Sequence, residues 1–117
     1  MNQFTLLELS KPTEEVDVFA RQVTVQIKPG SQASYTQTME KEIIPLLRKQ
    51  HGFKDELSFV SGSKVVAISL WDQKDQAEAY DRLMYPQVVK ALASVVEGTP
   101  HVEPFEVSNS TWLKIAA

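Results

Sequence analysis

FKDELSFVSGSKVVAISLW, residues 53–71, contains two β-rich runs, Phe53 to Val60 and Lys64 to Trp71, parted by Ser-Gly-Ser. A short glycine-containing break between two such runs signals a hairpin, so the strands are expected to pair antiparallel. In the second run Val66, Ile68 and Leu70 fall on one side, and Val65, Ala67, Ser69 and Trp71 on the other. Strand side chains alternate in direction, and here neither side is properly polar. Both faces of this strand therefore need cover.

Working outward, VDVFARQVTVQIK, Val16 to Lys28, reads as a first strand, in which Val23, Val25 and Ile27 alternate with Thr24 and Gln26. Pro29 and Gly30 stop it. Ser31 is the expected N-cap of a helix to about Gln50, with Tyr35, Met39, Ile43 and Leu46 or Leu47 at helical spacing. Pro45 removes a backbone donor inside that helix and is expected to kink it. Gly52 falls where a left-handed C-terminal cap belongs.

Downstream of the hairpin, Asp72 and Asp75 are placed to serve the first turn of a second helix, with Ala77, Tyr80, Leu83 and Met84 on its buried face. Tyr85-Pro86 interrupts it, and a further helical piece is expected over Gln87 to Val96, ended by Glu97-Gly98-Thr99-Pro100. His101 to Ser108 is the last strand, with Pro104 arguing for an edge or a strand end. The order is βαββαβ. It predicts an α+β fold: a split βαβ sheet of four antiparallel strands with its helices on one face. The opposite face is then bare and apolar, and a second copy of the chain is the simplest cover. The expected layout is an N-terminal extension over 1–15, a domain over 16–110 and a tail over 111–117. The extension could add a strand or clasp the partner, and the tail, with Trp112, could dock onto the other subunit.

The composition suits this reading. With 117 residues the chain forms one domain; 43% hydrophobic and 23% charged residues describe an ordinary globule. No cysteine is present, so thiolate chemistry is excluded and a reducing cytoplasm is expected. No stretch is apolar enough to span a membrane. The net charge of -3, without a basic run, argues against nucleic acid as a partner. No HxxxH or HExxH spacing, phosphate loop or GxSxG elbow occurs, so neither a metal nor a cofactor is expected.

VTVQIKPGS before a helix, EIIPLLRKQHGF, AISLWDQKDQAEAY, YPQV and HVEPFEV, in this order, resemble the antibiotic biosynthesis monooxygenase-like domain. The resemblance spans about Val16 to Ser108. It implies a dimeric α+β barrel of ferredoxin-like topology, with a cavity between helices and sheet. Some members of that family are cofactor-independent monooxygenases of polycyclic phenols, and others bind and degrade haem. The haem branch carries an asparagine and a histidine at positions that fall on Val23 and Tyr80. Both are missing here, and haem is disfavoured.

The resemblance matches Trp71 to a cavity tryptophan, and Trp71, Tyr80 and Tyr85 are the candidate ligand contacts. Tyr80 and His51 are the candidate catalytic residues, with His101 a second possible base. Each has a plainer reading. Trp71 fits core packing equally well, Tyr80 and Tyr85 suit aromatic packing, and His51 suits a helix end. Arg82, Lys90, Glu14-Glu15 and Glu40-Lys41-Glu42 read as solvated surface. The leading expectation is a homodimer that binds a small aromatic or lipophilic molecule, with cofactor-free oxygenase activity. A non-catalytic structural or sensor dimer with a self-filled core, or a proton-transfer isomerase or decarboxylase, are the alternatives.

Overall fold

The computed structural model describes residues 15–115. Strand β1 (Glu15–Val16) precedes β2 (Phe19–Ile27), helix α1 (Gln32–Thr38), a π-helical turn (Met39–Ile43) and helix α2 (Ile44–Arg48). Strands β3 (Phe53–Ser61) and β4 (Lys64–Trp71) form the hairpin. Helices α3 (Lys74–Leu83) and α4 (Tyr85–Leu92) and strands β5 (Val96–Glu106) and β6 (Lys114–Ile115) complete the chain.

The main sheet has the order β3-β4-β2-β5, with every neighbouring pair antiparallel. This is the ferredoxin-like α+β arrangement expected from the hairpin and its two helical crossovers. The hairpin closes through Gly62 at φ 61°, on the first of two loop residues, where a II′-type turn needs glycine. β5 is an edge strand, so the missing N–H of Pro104 breaks no central ladder.

Local departures from the expected boundaries have physical causes. The first strand is divided: Glu15–Val16 leaves the sheet and pairs in parallel with Lys114–Ile115. The tail thus meets the N-terminal end of its own domain, while the rest of the expected extension lies outside the described residues. Around Pro45 the helix is irregular: directly upstream the backbone widens into the π turn, and the Ile44 N–H reaches back five residues to the Met39 carbonyl. Ser31 occupies the N-cap position without a side-chain capping bond, and Asp72 pairs with Lys54 at 3.1 Å rather than capping α3, whose first turn holds Asp75. Pro86 sits in the first turn of α4, where its fixed φ suits helix entry, so that helix begins and ends earlier than expected. The Glu97-Gly98-Thr99-Pro100 stretch belongs to β5: Gly98, at φ 72°, lies where the β2–β5 register shifts.

The helices cover the face presented by Phe19, Val25 and Ile27 of β2 and by Val65 and Trp71 of β4. Tyr35, Met39, Ile43, Leu47, Ala77, Tyr80 and Val88 pack down onto it. The opposite face is bare. On it Leu57, Phe59 and Phe105 are 48%, 54% and 46% exposed; Leu57 lies opposite Ile68, Phe59 opposite Val66, and Phe105 in the row of Ala20 and Leu70. Among the described residues no helix is long and apolar enough to cross a membrane.

Candidate functional site

A cavity of about 230 Å³ opens between the helices and the sheet. Its floor carries Arg21, Val23 and Val25 from β2, Ala67 and Ser69 from β4, and Glu56 from β3. Its roof is Tyr35, Met39, Ile43 and Leu47 from α1, the π turn and α2, with Tyr80, Tyr85, Val88 and Leu92 from α3 and α4. The space exists because the middle of β4 carries only Ala67 and Ser69 on this face, where Val65 and Trp71 fill the floor on either side. The π turn directs Met39 and Ile43 into the roof. A mostly apolar lining with few polar groups is the usual character of a small-molecule pocket.

The most unusual floor residue is Arg21, a guanidinium only 5% exposed. A buried cation is costly unless compensated, and two compensations are present. Its Nε and Nη2 donate to Asp81 Oδ1 at 3.1 and 2.6 Å. Its Cζ stands 4.0 Å from the Tyr85 ring centroid and 5.2 Å from that of Tyr80, within cation–π range. Asp81 is itself about half exposed, so the pair is only partly neutralised against the cavity.

Opposite Arg21, a hydrogen-bonded chain runs along β3. Ser58 Oγ donates to Glu56 Oε2 at 2.7 Å, and lies 3.0 Å from the Tyr35 hydroxyl. With the serine proton committed to the carboxylate, the Tyr35 O–H is the donor to Ser58. Burial raises the Glu56 carboxyl above its ordinary value, and the Ser58 bond opposes part of that rise. The phenols are raised too. Burial pushes Tyr80 up to about 12 against the attraction of Arg21, and burial likewise raises Tyr35 and Tyr85. At neutral pH these tyrosines are protonated donors.

Of the residues singled out from the sequence, Tyr80 and Tyr85 line the cavity, with ring centroids 6.3 Å apart. Trp71 does not line it. It is completely buried beneath Tyr80, 5.1 Å between centroids, and stands edge-on to Phe53 at 5.6 Å. Its indole N–H donates to Ser69 Oγ at 2.9 Å, so its polar atom is satisfied within the core. Burying an indole of this kind contributes about 4–6 kcal/mol of gross transfer free energy. His51 is exposed and lies on an outer depression with Asp75, Gln76, Tyr80 and Leu83; Tyr80 also lines the Arg21 cavity, whereas His51 does not. His101 is exposed on the bare face of β5, 3.6 Å from Glu103. Arg82 and Lys90 are on the outer helix surface. Among the described residues no cluster of three or more histidines and carboxylates could hold a metal ion.

Arg21 and Glu56 did not stand out in the sequence. Arg21 shares the parity of Val23, Val25 and Ile27, and that shared parity is the signal that places it inward.

The architecture recurs in solved structures. A monooxygenase of Streptomyces coelicolor (gene ActVA-Orf6), in complex with nanaomycin D, matches with a TM-score of 0.68 at 18% identity, over 88% of this chain and 96% of its own. SnoaB, a cofactor-independent oxygenase of Streptomyces nogalater, matches with 0.67 at 13% identity, over 82% and 98%. A protein of unknown function from Nitrosomonas europaea, NE2512, matches with 0.69 at 17% identity, over 83% and 95%. The chain has the antibiotic biosynthesis monooxygenase-like fold. No family model matches the sequence, and comparison with curated proteins finds no match. At these identities the likeness carries the monooxygenase-like fold and leaves the chemistry to the residues of the cavity.

Proposed function

We propose that this protein binds a compact, planar aromatic phenol or ketone in the cavity above Arg21 and oxidises it with dioxygen, without a cofactor. The observation that carries this reading is a buried cation on the wall of an apolar chamber. Triplet dioxygen reacts slowly with closed-shell molecules, and a substrate becomes reactive once it is converted to an electron-rich anion. An arginine held in a low-dielectric wall stabilises such an anion far better than water-exposed charge would. Asp81 fixes the guanidinium, and Tyr85 and Tyr80 stack on it, so that little reorganisation is required when the anion forms. The volume of about 230 Å³ lies just below the usual range of ligand pockets, about 300–1,000 Å³, and limits the ligand to a compact one of a few fused rings.

For an anthrone-type substrate the overall reaction is a ring CH2 plus O2 giving a ring carbonyl plus water. Two C–H bonds break, the carbon is oxidised by four electrons, and one oxygen atom ends in each product. The names of the monooxygenase and the cofactor-independent oxygenase among the structural neighbours support the assignment. The functional unit is a homodimer in which the bare faces carrying Leu57, Phe59 and Phe105 cover one another, closing the barrel.

Oxygen uptake tests the activity. Purified protein treated with chelator is mixed with anthrone-type phenols in an oxygen electrode, and stoichiometric uptake with quinone formation is expected. Tight binding without uptake across the panel would reduce the cavity to a binding site and reject the oxygenase.

A further inference from the structure

Cross-strand register places Glu56 opposite Ser69, and Ser69 opposite Arg21, so the carboxyl and the guanidinium rise from one row of the sheet with a small residue between them. Two strand spacings put their backbones about 9.5 Å apart. All three side chains line the same cavity. The row therefore offers a proton acceptor at one end, a cation at the other, and a gap between them floored by a hydroxymethyl group.

We infer that Glu56 is the general base that removes the proton from the bound substrate, with Ser58 and Tyr35 as positioning residues; this rests on the binding reading given above. The step balances simply. A C–H or O–H bond of the substrate breaks, its electron pair stays on the ring system, and the proton passes to a Glu56 oxygen. The negative charge delocalises onto the substrate oxygen, which faces Arg21. Dioxygen is the later co-reactant that the anion reduces. The Ser58-to-Glu56 bond orients the carboxylate, and the Tyr35 hydroxyl behind it fixes Ser58. Ser58 is exposed, which gives the proton a way out to solvent. The tyrosines of the roof stay protonated, and neither histidine lines the cavity, which leaves Glu56 as the carboxyl group in the cavity placed to take up the proton. The charged and titratable groups around it are Arg21 on β2, Lys54 and Asp55 on its own strand, Tyr35 on α1, Arg48 on α2, Tyr80 on α3 and Tyr85 on α4.

The test separates proton removal from oxygenation. Anthrone is incubated with the protein in D2O without oxygen, and exchange of its CH2 protons is followed by NMR. Wild type is expected to accelerate exchange. Glu56→Gln, checked by circular dichroism and thermal melting, is expected to lose about 100-fold or more of that acceleration while its affinity for the phenol changes less than about threefold. Ser58→Ala is expected to retain exchange with its pH midpoint moved upward, because the bond it removes lowers the Glu56 carboxyl. Wild-type exchange rates in Glu56→Gln, or bound anthrone that wild type fails to exchange, would overturn the assignment. Exchange without oxygen uptake would uphold Glu56 and reject the oxygenase; uptake with undiminished exchange in Glu56→Gln would do the reverse. Failure to bind anthrone and related phenols at all would sink both.

Discussion

Arg21 and Glu56 face the same cavity from strands two places apart, although neither belongs to the oily pattern by which each strand is recognised. Arg21 is clamped from outside by Asp81 and faced by Tyr85, so its role can be separated from folding by a substitution that keeps the stem and removes the charge. Arg21→Met leaves Asp81 half exposed to water rather than buried and unpaired. A charge-assisted hydrogen bond contributes about 1.5–3 kcal/mol. The variant should therefore bind acidic phenols about 10- to 100-fold more weakly, with its affinity for neutral aromatic isosteres unchanged, as measured by calorimetric titration.

The cavity owes its space to small residues on β4. Ala67→Leu extends a branched side chain into it from the middle of the floor, where there is room to accept the added carbons. Overpacking a filled core costs about 1–3 kcal/mol, whereas filling a void costs little. This variant should keep its melting temperature within a few degrees and lose ligand binding. A fall in stability typical of overpacking, with binding retained, would mean that the site lies elsewhere.

Much of the architecture is legible in the sequence, and the hardest part to read is the direction of β3. Read with strict alternation, Phe53, Leu57 and Phe59 would share one face and Glu56 would point the other way. A register shift between Phe53 and Asp55 inserts an extra residue. Phe53 therefore packs against Trp71, while Glu56 and Ser58 turn inward and Leu57 and Phe59 turn out onto the bare face. One bulge thus builds the polar end of the cavity and turns oily side chains onto the bare face, and no local residue type announces it. For Trp71 local pattern leaves cavity and core equally open, and the core reading is the one the structure bears out. Its partner Ser69 lies on the same face two residues earlier, and that bond, rather than a ligand, satisfies the indole.

The outward turn of Leu57 and Phe59 has a consequence in solution. Phe59→Glu places a charge on the proposed contact while leaving the helix-covered core untouched, since Phe59 is 54% exposed in the single chain. Sedimentation at micromolar concentration should show a dimer for wild type and a folded monomer for the variant. A wild type that sediments as a monomer would leave the bare face without its proposed cover.

Gly52 joins α2 to β3 at φ 85°, a conformation that side chains other than glycine resist by about 1–2 kcal/mol. A second constraint adds to it: a Cβ here would run into the amide of the Gln76 side chain on α3. Gly52→Ala should therefore destabilise by about the backbone cost plus the smaller cost of swinging the flexible Gln76 amide aside. The double variant Gly52→Ala/Gln76→Ala should recover the steric share and retain the backbone share, a coupling that chemical denaturation of the four members of the cycle can measure.

The raised Tyr80 phenol predicts a specific alkaline weakness. A group whose folded pKa lies above its unfolded value contributes stability that is fully present below the unfolded pKa and is lost as pH rises through the folded one. For Tyr80 the window runs from the ordinary phenol value of 10.0 to about 12, and a shift of two units corresponds to roughly 2.7 kcal/mol. Urea midpoints measured between pH 9 and 12 should fall with rising pH in wild type. Tyr80→Phe should show a shallower fall, with Tyr35 and Tyr85, which are raised in the same direction by burial, supplying what is left. Identical slopes for the two proteins would mean that Tyr80 ionises as freely in the folded chain as in the unfolded one, and that the cavity wall is wet.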